Sequence, residues 1–243
     1  MGAKFERLLR DSIKKNPVNA DCISNAIYGK KGLFKNIYVV GGNNEKSDVI
    51  IEYDYSNIIG INLKSGQTDL NQVMRLWANE LSVVGVSTAV ISIIDNCLLD
   101  AALKKGFIMR PIDQSTVKSN FAANLKKVME YIFTRNNSSV NVWGITDLTV
   151  KPVKTYLYKM DEVIKFLSAQ TITFSKNGVM NIGNYLTMKR KGGDGGSSVS
   201  KTISGKPNPK HPGNQLQFQM KILSFVKDTI KYPTTHPKPF LII

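Results

Sequence analysis

The sequence predicts an α/β fold. Three observations lead there: stretches with apolar residues at helical spacing, β-rich runs interleaved between them, and turn signals separating neighbouring runs. At 243 residues and 42% hydrophobic content, the chain is long enough to bury one substantial core. One elaborated domain is the expectation.

The elements follow in order. In "AKFERLLRDSIKKN", Phe5, Leu8, Leu9 and Ile13 lie at helical spacing and Asn16 precedes Pro17, which predicts an amphipathic helix closed at that point. A loop leads to "NIYVVGG", a short strand. "SDVIIEYDYSNIIGINLKSG" holds two β-rich runs around "YDYSN" and reads as a hairpin or bent strand pair. "TDLNQVMRLWANEL" offers Thr68 as a cap and sets Leu70, Val73, Met74, Trp77 and Leu81 on one helical face, with Asn71 and Arg75 on another. "STAVISIID" reads as a buried strand, and "SNFAANLKKVMEYIFTR" as a second long helix. "SVNVWGITDL" and "KTYLYKM" are strands, "DEVIKFLSA" a helix, and "TITFSKNGVMNIG" a hairpin turning at Asn177-Gly178. The last pair is "NYLTMKRK" and "NQLQFQMKI". In the second, Leu216, Phe218, Met220 and Ile222 alternate with Gln215, Gln217, Gln219 and Lys221. Between the two lies a Gly/Ser/Lys/Pro loop over about 192–213, and a loop that long in a compact domain is functional or disordered.

Charge narrows the partners. The chain carries 33 Lys and Arg against 18 Asp and Glu, a formal +15, with a pI near 9.7. Such an excess concentrates polyanions at the surface. Nucleic acid is favoured over membrane, because no apolar run approaches the ~20 residues a bilayer span needs. "MGAKFERLL" resembles neither a signal peptide nor a myristoylation signal, so a cytoplasmic protein is expected. Cys22 and Cys97 lack the clustered spacing of a zinc site and are expected to be reduced and buried. His211 and His236 both stand near prolines, which argues against histidine-based catalysis.

Asp48, Asn62 and Lys64 form one candidate for chemistry. Asn62 and Lys64 lie two apart, so they share a strand face, and the hairpin can bring Asp48 beside them. A carboxylate, an amide oxygen and a lysine suit metal-assisted phosphodiester hydrolysis, in which oxygens hold Mg²⁺ and the amine serves the attacking water. Ordinary strand-edge polar residues would show the same pattern. Glu52 is a possible extra ligand or a solvated strand residue. Asn71, Gln72 and Arg75 offer amide and guanidinium groups to DNA, or to water. Lys189, Arg190 and Lys191, followed by Gly192 and Gly193, can neutralise phosphates and bring backbone N–H groups close to them; a flexible basic loop is the alternative. The GxxxxGK[ST] spacing of a nucleotide-binding loop is absent. Gln215, Gln217 and Gln219 put three amides on one strand face, which suits base-edge hydrogen bonding or a solvated sheet.

With "SD…NLKS", "LNQVMRLW", "MDEVIKFL" and "RKGGDGG…NQLQFQMKI" in that order, the chain resembles type II restriction endonucleases of the PD-(D/E)xK superfamily, and more narrowly the MspI-like and HinPI-like branch. The resemblance runs from about Lys46 to Leu223. It implies a central mixed β-sheet flanked by helices, a core over about 1–135 that carries catalysis, and a DNA-recognition part over about 140–243. It also implies Mg²⁺ as cofactor, with Asp48, Asn62 and Leu63 as metal-binding positions and Lys64 as the water-handling lysine. Asn62 stands where the family usually has an acid, and Ser47 where it usually has proline. DNA contacts are implied for Asn71, Gln72, Arg75, Lys189, Arg190, Lys191, Gly192, Gly193, Asp194, Asn214, Gln215, Gln217 and Gln219. The stretch "SSVSKTISGKPNPKHPG" is longer than in the relatives, so nothing carries over to it.

The expectation is therefore a Mg²⁺-dependent, sequence-specific endonuclease acting on double-stranded DNA as a monomer or homodimer. Its rivals are a non-catalytic DNA-binding protein and a repair or junction nuclease without sequence choice.

Overall fold

The computed structural model describes residues 2–40, 46–54, 57–103, 108–193 and 197–243. Its contacts divide into two compact units, one of residues 1–71, 133–166 and 221–243, the other of residues 72–132 and 167–220.

The first unit is built on a six-stranded mixed sheet. Its strands are β1 (Phe34–Val39), β2 (Val49–Tyr53), β3 (Ile58–Gly66), β5 (Val140–Asp147), β6 (Lys154–Lys159) and β13 (Leu241–Ile242), in the order β1-β2-β3-β5-β6-β13. All neighbours are antiparallel except β3 and β5. Alternation along the strands sorts the two faces. Ile51, Ile59, Ile61 and Val142 pack with Leu9 and Ile13 of helix α1 (Gly2–Lys15) and Ala20 and Ile23 of helix α2 (Pro17–Tyr28). On the other face Trp143 and Tyr158 meet Phe225 of helix α6 (Ile222–Lys231), with ring centroids 5.3 and 5.4 Å away. The sheet is thus mixed and flanked by helices, as expected.

Close approach fixes one glycine here. A side chain at Gly60 would strike the Ser47 hydroxyl and the Ser139 carbonyl oxygen, the latter at 2.7 Å, where the Gly60 N–H already donates to that carbonyl. Overpacking of this kind costs about 1–3 kcal/mol. Gly60→Ala is expected to lower the free energy of unfolding by about that much in urea denaturation.

The second unit contains a five-stranded sheet ordered β4-β12-β9-β8-β7, with β4 (Leu70–Leu76), β7 (Ile172–Phe174), β8 (Met180–Ile182), β9 (Leu186–Arg190) and β12 (Leu216–Lys221). A separate hairpin pairs β10 (Thr202–Ile203) with β11 (Lys206–Pro207). Helices α3 (Thr88–Leu103) and most of α4 (Pro111–Thr134) complete it. Helix α5 (Met160–Ser168) bridges the two units in sequence.

Several expectations are corrected. Residues 70–76 form a strand and not a helix, because tertiary strand pairing overrides helical apolar spacing; a short 3-10 helix over Ala78–Val84 follows. "STAVISIID" is helical, since buried Val90, Ile91, Ile94, Cys97 and Leu98 continue the pattern at helical period past Asp95. The first helix closes before Pro17 as expected, but the loop expected after it is helical: Pro17 opens α2 at a position where its missing N–H costs nothing. Ile222 opens α6 instead of continuing β12. Cys97 is buried as expected, but Cys22 is exposed. The long loop is only partly irregular, given the β10–β11 hairpin inside it.

Candidate functional site

Asp48 lies just before β2. Its backbone N–H donates to the Ile61 carbonyl, and its Oδ2 accepts the Leu63 N–H at 2.6 Å. The carboxylate is thereby pinned to the peptide joining Asn62 and Leu63 in the middle of β3. Leu63 itself turns into the apolar core against the α1–α2 face, which leaves Asn62 and Lys64 on the opposite face by strand alternation. The local fold therefore brings all three predicted residues to one stretch of β3.

Their exposures differ. Asp48 and Lys64 are half-buried, whereas Asn62 is fully enclosed. The Asn62 amide nitrogen donates to the Phe133 carbonyl at 3.0 Å. Its Oδ1 is buried with no hydrogen-bond partner.

Three further charged groups surround this stretch, and sequence reasoning missed all of them. Glu6 of α1 has a buried, unpartnered Oε2. Burial raises its pKa above the usual carboxylate range, the Asp48 charge adds to that, and Lys64 opposes it. Lys46, two residues before Asp48, has its ammonium pushed down to about 7, by burial first and by repulsion from Lys64, against attraction from Asp48; Arg135 lowers it further. Arg135 itself follows α4 with a left-handed backbone, φ 53°. No spacing in the sequence announces these neighbours, because α1 and the turn after α4 reach Asp48 only through the tertiary fold.

Glu52 is elsewhere: its Oε1 accepts the Tyr38 hydroxyl at 3.1 Å, next to β1. Among the described residues, no three His, Cys, Asp or Glu side chains gather into a metal cluster. The oxygen donors at hand are the carboxylates of Asp48 and Glu6 and the amide of Asn62. Asn62 Oδ1 and Glu6 Oε2 are each buried without a hydrogen-bond partner, and a buried oxygen of this kind is costly. Carboxylate and amide oxygens are the donor types that Mg²⁺ takes.

The predicted DNA-contacting residues fall in two places. Asn71, in the first unit, is half-buried and donates to the Ser65 carbonyl at 2.9 Å. The rest belong to the second unit, where register decides which groups stand together. Gln217 of β12 pairs with Lys189 of β9, and Gln219 with Thr187. The Gln217 amide nitrogen also donates to Gln72 Oε1 on β4 at 2.9 Å. Gln72, Gln217 and Lys189 thus form a polar row, and Arg75 is exposed further along β4.

Arg190 is separated from its neighbours. It pairs with buried Leu216 on the other face of the sheet, so the basic triplet does not act as one cluster. Its Nε and Nη2 donate to Asn214 Oδ1 at 3.0 and 2.7 Å, and burial lowers its pKa. Asn214 is itself buried and donates to the Asn208 carbonyl at 2.7 Å. Its amide oxygen and nitrogen both have partners, and it positions Arg190. Asn214→Ala would leave a half-buried guanidinium without its acceptor; a loss of about 1 kcal/mol in unfolding free energy is expected by urea denaturation.

Gly192 and Gly193 both adopt positive φ, 68° and 60°. The Gly192 N–H donates to the Gly213 carbonyl at 2.9 Å, so these glycines turn the chain out of β9, and that N–H is not held open for phosphate. Gln215 accepts the Lys191 N–H through its carbonyl. Asp194 lies outside the described residues. No helix among the described residues is long and apolar enough to cross a membrane.

No family model matches the chain, and no curated protein matches it by sequence. Among solved structures, the chain is similar to the restriction endonuclease MspI in complex with its cognate DNA, at 10% identity and a TM-score of 0.45, over 76% of this chain and 69% of that one.

Proposed function

We propose that the protein is a Mg²⁺-dependent, sequence-specific endonuclease that hydrolyses double-stranded DNA to a 5′-phosphate and a 3′-hydroxyl. The observation that carries this reading is the convergence of Asp48, Asn62 and Lys64 on one segment of β3, where the buried Asn62 Oδ1 lacks a hydrogen-bond partner. Asp48 and Asn62 would hold the ion, with Glu6 as a further donor and Leu63 contributing through its main chain. When bound, Mg²⁺ supplies charge neutralisation at the phosphate and makes water a better nucleophile.

The protein's own groups divide the remaining work. Lys64 orients the attacking water and stabilises the negative charge that develops at the phosphate, and the proton of the water leaves to solvent. Lys46 and Arg135 add positive charge where a phosphodiester would lie. In the second unit Lys189 and Arg75 engage the DNA backbone, and the amides of Gln72 and Gln217, already joined, present their remaining donor and acceptor to base edges.

Supercoiled plasmid incubated with the protein is expected to become linear in Mg²⁺ and stay intact in EDTA. Retardation without cutting in either condition would make this a DNA-binding protein instead.

A further inference from the structure

The β10–β11 hairpin is used by none of the roles above. Thr202 pairs with Pro207 and Ile203 with Lys206, and the two residues between them, Ser204 and Gly205, both have positive φ, 50° and 75°. This is the tight two-residue turn whose twist suits a hairpin. Residues 201–206 are all exposed. A two-stranded ribbon is marginal by itself, but this one lies against helix α3 through β11 and has a firm root. Asn208 is buried and donates its backbone N–H to the Lys201 carbonyl at 2.9 Å and its side-chain amide to the Ser200 carbonyl at 2.9 Å. Its own carbonyl accepts from Asn214, the residue that holds Arg190.

At the tip stands Ile203, 58% exposed, beside the exposed lysines Lys201 and Lys206. A single exposed aliphatic residue is ordinary on a surface. At the end of a rooted ribbon between cations it is a different object. No Asp or Glu occurs from residue 195 to residue 227, so the segment itself carries only positive charge, with Asp95 of helix α3 beside its root at Pro209 and Lys210; the exposed cations at its end match a polyanion and disfavour another basic surface such as a second copy of this chain.

We propose that this hairpin is a DNA wedge: Ile203 enters a base step from the minor groove and unstacks it while Lys206 and Lys201 hold the flanking phosphates, in the manner by which apolar side chains kink duplexes. The proposal rests on the DNA reading above and adds a deformation of the duplex to it.

The test uses the duplex site mapped from a wild-type digest, with 2-aminopurine moved through it one position at a time. Lys64→Ala protein keeps the DNA whole. Fluorescence is expected to rise several-fold at one step, and to return to the free-duplex level when Ile203→Ser is added, with affinity down about tenfold. Asn208→Ala, which uproots the ribbon, is expected to do the same, and Lys206→Ala to lower the salt slope of binding by about one. The wedge is overturned if no step brightens, or if the signal survives Ile203→Ser. It is also overturned if Ile203→Ser dissociates a dimer in sedimentation and leaves DNA behaviour unchanged, which would assign the tip to self-association. If wild-type protein neither retards nor cuts DNA, the endonuclease reading fails first and takes the wedge with it.

Discussion

Lys64→Ala is expected to reduce plasmid cleavage in Mg²⁺ by about 10³-fold, the scale of a lost group that stabilises developing charge, while duplex retardation in a gel persists. The side chain is half-buried and shares its strand face with Asn62, with Asp48 pinned to the peptide just before Leu63. Its amine is therefore in position to serve a water molecule and is not part of the core, so its removal should spare the fold. The proper control is an unchanged melting temperature. Cutting at the wild-type rate would remove Lys64 from the chemistry and leave the Asp48 segment as a structural corner of the sheet.

Asn62→Asp is expected to have the largest effect on stability. Asn62 is fully buried, and its amide nitrogen donates to the Phe133 carbonyl. An aspartate there loses that donor and places a carboxylate against a carbonyl oxygen in an enclosed site. An uncompensated buried charge costs about 3–5 kcal/mol. Urea denaturation in EDTA should show a loss of that order, and millimolar Mg²⁺ should recover much of it, because a cation binding only the folded state stabilises it. If Mg²⁺ gives no more recovery to Asn62→Asp than to wild type, Asn62 serves to tie β3 to the end of α4 and does not face a metal.

Much of the first unit is legible in the sequence. The hairpin of β2 and β3 could be read from paired β-rich runs, β5 and β6 from their apolar density, and β12 from strict alternation of glutamines with apolar residues. Asp48, Asn62 and Lys64 could be singled out because period two and one turn suffice to bring them together. Residues 70–76 misled because Leu70, Val73, Met74 and Trp77 fit a helix as well as they fit anything, and only partners distant in sequence settle the matter. Ser87 to Asp95 misled in the opposite direction, since a window ending at Asp95 hides Cys97 and Leu98. Glu6, Lys46 and Arg135 were invisible for a deeper reason: their importance lies in distances across the fold, and each is unremarkable among its own sequence neighbours. The basic triplet at Lys189 shows the converse. Adjacent in sequence, its members are split by the pleat, and Arg190 is turned over to Asn214.

The most direct measurement is a digest of a plasmid of known sequence in Mg²⁺, with every fragment end mapped and its phosphate located. Discrete fragments are expected, with ends that share one short palindromic sequence and carry the phosphate on the 5′ side. A smear of unrelated ends, or DNA left intact, would contradict that.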